Sequence, residues 1–155
     1  MKTIRKSVLI WYSAQEMFDL VTDPERYPQF LPWCSHARVI SRDAHGMVAE
    51  LGLAFMGIKQ SFTTRNEHIT DPSGMREERI HLVSGPFSKL EGHWQFTPVG
   101  EAGERACRVE LALDYGFSNA LLGRLVGPVF DKIAASLVDA FVQRADQVYG
   151  GGATA

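Results

Sequence analysis

The chain has 155 residues, 45% of them hydrophobic and 22% charged, with a formal net charge of -2. That length suits one domain around one core, and the balance excludes disordered and collagen-like classes. A weakly acidic chain has no bulk attraction for DNA or for an anionic lipid surface, and short basic pairs such as Arg5 and Lys6 read as the wet side of a strand.

Cys34 and Cys107, the two cysteines, lie far apart without CxxC spacing. They read as free core thiols of a reducing compartment, not as a disulfide or a zinc site. The first residues carry neither a charged-then-apolar signal nor an Arg- and Ser-rich presequence, and no apolar run approaches the ~20 residues that cross a bilayer. The expectation is a soluble cytoplasmic protein with at most peripheral contact with the inner membrane.

In chain order, residues 3–11 alternate as a strand, with Ile4, Val8 and Ile10 on one side and Lys6 as the exception. Ser13 and Glu16 form a capping box, which starts a helix carrying Met17, Phe18, Leu20 and Val21 on its buried stripe. Asp23 followed by Pro24 predicts a second short helix, which Pro28 should interrupt. From Cys34 onward the period becomes two. Val39 and Ile40 lead to a turn at residues 43–46, and Met47, Ala49, Leu51, Leu53 and Phe55 then alternate. Gly57 breaks that run, and residues 58–69 continue as a strand. Asp-Pro-Ser-Gly at residues 71–74 is a strong turn signal. Residues 75–83 and 90–97 follow as strands about Gly85-Pro86. In the last strand Cys107, Val109, Leu111, Leu113, Tyr115 and Phe117 share one side, opposite Arg108, Glu110 and Asp114.

The spacing then becomes helical. Leu122, Val126, Val129, Ile133, Leu137, Phe141 and Ala145 form a stripe, broadened by Leu125, Phe130, Val138 and Val148. Gly127-Pro128 predicts a kink or restart, after which the helix should run about 33 Å. Strands joined by adjacent turns pair antiparallel, and one large sheet needs its apolar face covered. The predicted fold is α+β of the helix-grip type. A curved antiparallel sheet of about six or seven strands wraps a long C-terminal helix, with two short helices after the first strand. Residues 1–149 form one domain and residues 150–155 a flexible tail.

Catalytic and metal signatures are sparse. The five histidines show no HxxxH or HExxH spacing, and no GxSxG elbow, P-loop or GxGxxG is present. Residues 100–103 read as a hairpin loop, without the lysine and following helix that phosphate binding requires. Glu77 and Glu78 point to opposite faces and cannot act as a dyad; with Glu91 they read as solvated strand residues. One of Arg65 and Asn66 must face inward, either to orient a ligand headgroup or to pair with a neighbouring strand. Many strands and the last helix carry aromatics. These complete an ordinary core unless sheet and helix leave a hollow between them.

The segments YPQFLPWC (residues 27–34), GPFSKLEGHWQF (85–96), NALLGRLVGPVF (119–130) and LVDAFVQRADQVYG (137–150) together resemble the coenzyme Q-binding, START-like protein family, which includes bacterial ribosome association toxin proteins. The resemblance covers essentially the whole chain. It implies a cavity binding ubiquinone, in support of respiratory quinone function, with no chemistry of its own, no required cofactor and no metal. The alternative it carries is inhibition of the ribosome, as the toxin of a toxin–antitoxin pair that binds the large subunit and blocks subunit joining. Candidate contacts for an isoprenoid quinone or similar lipid are Phe30, Leu31 and Trp33 at a cavity mouth (or as plugs of the core). Phe55, Phe62, Trp94, Leu113, Tyr115, Phe130, Ile133 and Leu137 are candidates along the walls. Arg65 and Asn66 are the candidate headgroup contacts. A polyketide cyclase activity would require inward acid–base groups, which the apolar alternation of the last strand does not offer.

Overall fold

The computed structural model describes residues 2–101 and 103–150; the predicted tail beyond Gly150, and Ala102 in the predicted hairpin loop, lie outside the described residues. The elements are β1 (Lys2–Ile10), α1 (Ala14–Val21), a 3-10 turn (Pro24–Gln29), β2 (Cys34–Asp43), β3 (Gly46–Phe55), β4 (Ile58–Thr70), β5 (Arg76–Ser84), β6 (Phe87–Pro98), β7 (Cys107–Phe117) and α2 (Ala120–Tyr149). The strands make one seven-stranded sheet in the order β1-β7-β6-β5-β4-β3-β2. Every pairing is antiparallel. From β2 to β7 the chain meanders, and β1 adds to the far edge beside β7.

Local chemistry sets the boundaries. Ser13 Oγ accepts from the Glu16 N–H at 3.0 Å, while Glu16 accepts from the Ser13 N–H at 2.9 Å, so two orphan donors of α1 are satisfied reciprocally. Asn119 caps α2 through the Leu122 N–H at 2.9 Å. At the β4–β5 turn the Asp71 carboxylate accepts from the N–H groups of Ser73 and Met75, and Gly74 takes the positive φ of +92°. Gly46 enters β3 where a Cβ would stand 1.9 Å from the Asn66 carbonyl oxygen, so no side chain fits there.

The alternation of β7 puts Val109, Leu111, Leu113 and Tyr115 into the core, facing Val126, Phe130, Ile133 and Phe141 of α2. Four expectations are corrected. α2 runs unbroken through Pro128, because Pro128 and Arg124 lie on the exposed side, where water can take the carbonyl the proline leaves without a donor. Pro28 stays within the 3-10 turn instead of ending it. Leu125 and Val148 do not broaden the buried stripe; they are 53% and 49% exposed. Gly150 belongs to the helix end, where it is buried and its N–H bonds the Asp146 carbonyl.

Candidate ligand cavity

Between the inner face of the sheet and α2 lies a hollow of about 90 Å3. Pro24 and Tyr27 of the 3-10 turn and Trp33 after it line one end. The sheet contributes Ala49 and Leu51, then Phe62, Thr64 and Asn66, then Glu78 and Ile80, and finally Leu90, Trp94 and Leu113. α2 closes the space with Phe130, Ile133, Leu137 and Phe141. These α2 residues recur at the three- and four-residue spacing of one helix face, and the sheet residues at the two-residue spacing of one strand face.

The candidates from sequence therefore divide. Trp33, Phe62, Trp94, Leu113, Phe130, Ile133, Leu137 and Asn66 share the hollow. Phe30, Leu31, Phe55, Tyr115 and Arg65 do not line it. Leu31 is buried in the core. Phe30 packs edge-on against Tyr27 and Phe141, under the Arg144 guanidinium. Phe55 ends β3 and is only half-buried. Tyr115 turns its hydroxyl to Asp131, with its ring against Phe130 at 4.7 Å. Arg65 occupies the outer face, because its neighbour Asn66 takes the inner one.

The polar part of the wall overturns the reading of Glu78 as a solvated residue. Glu78 is 2% exposed. Sheet register explains this: His68, Glu78 and Trp94 stand opposite one another on β4, β5 and β6 and so share the inner face. His68 Nε2 lies 2.9 Å from the Glu78 carboxylate. Phe18 packs edge-on to the imidazole at 5.3 Å. Thr64 donates to Asn66 Oδ1 at 2.9 Å. Burial raises the Glu78 carboxyl above its ordinary range, and hydrogen bonding and charge from His68, a hydrogen bond from Asn66 and the more distant Arg42 charge oppose that shift. The inward acid–base groups that β7 lacks are thus present on β4 and β5.

Desolvation also lifts the Tyr27 hydroxyl well above its usual value; it donates to the Val21 carbonyl and fixes the 3-10 turn over the hollow. Cys34 and Cys107 are buried and free, and burial pushes both thiols up to about 11, which makes them packing residues and not nucleophiles. No described helix is long and apolar enough to cross a membrane.

A sheet wrapped on one long helix, with an apolar hollow between them, defines a helix-grip domain of START type. The chain belongs to the polyketide cyclase / dehydrase and lipid transport family, whose model matches residues 10–142. It is 43% identical over 147 residues to the ribosome association toxin RatA of Pseudomonas aeruginosa, covering 95% of this chain and 97% of that protein. Likeness to the mitochondrial coenzyme Q-binding protein COQ10 homolog B of Xenopus laevis is 26% over 146 residues, covering 94% of this chain and 58% of that one. A START superfamily protein from Mycobacterium smegmatis shares the fold with a TM-score of 0.75 at 20% identity, covering 94% of this chain and 98% of that chain.

Proposed function

We propose that this protein binds the large ribosomal subunit and blocks its joining with the small one, without catalysing a reaction. The observation that supports this reading is the 43% identity, over nearly the full length of both chains, with a ribosome association toxin. The quinone-binding relative is far less similar and much longer than the region matched. The order of the two readings taken from sequence is therefore reversed. The test is to add the purified protein to separated subunits and follow their joining by sedimentation. A fall in the joined fraction at stoichiometric protein is expected. Unchanged joining would refute the proposal.

The apolar hollow favours a second reading that coexists with the first. The hollow holds an apolar ligand, an isoprenoid quinone or similar lipid, against Trp33, Phe62, Trp94, Leu113, Phe130, Ile133 and Leu137. Burial of apolar surface supplies about 25 cal/mol per Å2, less the cost of ordering a flexible tail. Size limits what enters unaided. An apolar cavity of about 150 Å3 accepts one benzene ring, so at about 90 Å3 the walls must part for a ring and a long tail must extend outside. Mass spectrometry of apolar molecules extracted from protein purified from its own host tests this. Near-equimolar ubiquinone is expected; consistent recovery of none would refute it.

A further inference from the structure

A carboxyl group is costly at a position whose neighbours form an apolar wall, so its surroundings indicate what it accommodates. Glu78 is 2% exposed, lines the hollow, and is held from behind by His68 at 2.9 Å. Asn66 lines the same hollow, with its side-chain oxygen engaged by Thr64 at 2.9 Å. With that oxygen occupied and one amide N–H turned to Glu78, the second amide hydrogen is what Asn66 has to offer as a donor. The wall thus combines a carboxyl and an amide among apolar and aromatic side chains. No lysine or arginine is among the described residues that line the hollow, so an anionic headgroup finds no compensating cation on its walls. Arg42, the remaining cation that acts on Glu78, is exposed on β2 and reaches it only through long-range attraction.

We propose that Glu78, Asn66 and His68 form a headgroup subsite that selects apolar ligands with an uncharged oxygen group, an alcohol, phenol or quinone-type carbonyl, and rejects carboxylate-headed lipids. A hydroxyl donates to Glu78, and a carbonyl accepts from Asn66. A carboxylate meets a like charge or an uncompensated desolvation cost. The inference rests on the cavity reading above and narrows the class of ligand it takes.

The experiment uses 1-octanol and octanoate, which share a chain and differ in the head. Binding is followed by tryptophan fluorescence, since Trp33 and Trp94 line the hollow and Trp11, 80% exposed, gives a constant background. At about pH 8, where octanoate is ionised, octanol should bind at least about tenfold more tightly to the unmodified protein. Glu78→Gln should reduce that preference to about threefold or less by improving octanoate binding. Equal binding of the two probes to the unmodified protein would overturn the subsite and leave the cavity reading standing. So would a preference that survives in a folded Glu78→Gln. Should that variant fail to fold, the comparison in the unmodified protein still decides. Silence of both probes would overturn the cavity reading, and this inference with it.

Discussion

Ala49→Val tests the hollow directly. Ala49 is buried on β3 and its side chain borders the cavity. At about 24 cal/mol per Å3, filling a hollow of 90 Å3 with well-packed side chain is worth at most about 2 kcal/mol. Valine adds two methyl groups, whose burial contributes up to about 1.6 kcal/mol. Its branched Cβ suits a strand, so little conformational cost opposes the gain. Partial mismatch with Leu51 and Ile133 should consume some of it, since overpacking costs about 1–3 kcal/mol where no space exists. The expected net gain is about 1 kcal/mol, read by urea unfolding, with Tm rising by about 2–4 °C for a domain of this size. Octanol binding should weaken at least about tenfold, because the added methyl groups take the space its chain would fill. A loss of 1 kcal/mol or more, with octanol affinity unchanged, would show that Ala49 abuts packed atoms and that the probe binds elsewhere.

Phe141→Ala should cost about 3–5 kcal/mol by urea unfolding, since Phe141 is buried and meets Tyr27, Phe30 and Trp94 edge-on; a cost below about 1.5 kcal/mol would refute the aromatic cluster as the clamp of the 3-10 turn on α2. Glu78→Gln should flatten the pH dependence of stability. A carboxyl raised on folding makes the folded chain bind more protons, so its stability contribution is complete below the ordinary value near 4.5 and is lost as pH rises through the raised value; unfolding in urea across that window should show the loss in the parent and not in the variant. Arg105→Ala acts in the opposite sense. Arg105 holds the Glu16 carboxyl below its ordinary range through a bidentate pair at 2.8 and 2.7 Å, so that contribution is present above about 4.5 and is lost as pH falls through the lowered value. The pair is partly exposed, so the variant should lose under ~1 kcal/mol at neutral pH and less still in high salt.

Sequence patterning carries far into this fold. The two-residue period of β7, the capping box at Ser13 and the stripe from Val126 to Ala145 suffice to predict a sheet wrapped on a helix. They also place Leu113, Phe130, Ile133 and Leu137 on the cavity wall. Phe55 and Tyr115 fail for a shared reason. Periodicity says which face a side chain takes but not how far along the strand the sheet and helix separate. Phe55 and Tyr115 have the correct face and the wrong height. Glu78 fails differently. Charge alone marks it as solvated, whereas the register sets it between His68 and Trp94 on the inner face. The one local signal was alternation: with Glu77 outside, Glu78 had to face the interior. That register runs unbroken from Thr70 opposite Arg76 at the β4–β5 turn to Thr64 opposite Leu82, and the bulge between Thr63 and Thr64 lies beyond it.

The proposed ribosomal contact needs an exterior surface, whereas the proposed ligand lies against the inner face of the sheet. On the outer side several cations are matched by carboxylates. Arg38 and His36 approach Glu50, Arg79 binds Glu77, and His81 meets Glu67. On the proposed ribosomal reading, with those cations matched, attachment should draw on shape and exchange of ion pairs more than on counterion release, with a shallow salt dependence. The inner side is apolar apart from the Glu78 cluster. A ligand there can influence the outer surface only by binding two arrangements of sheet and helix unequally, since a ligand of equal affinity for both shifts neither. A hollow that must widen to admit a ring supplies two such arrangements, closed and parted. A ligand that fills the parted one gains packing against its walls. On the two proposed readings, occupancy of the cavity and affinity for the ribosome would be coupled only as far as parting the walls displaces β3 and β4, the strands that carry both Ala49 and Asn66 inside and Glu50 and Glu67 outside.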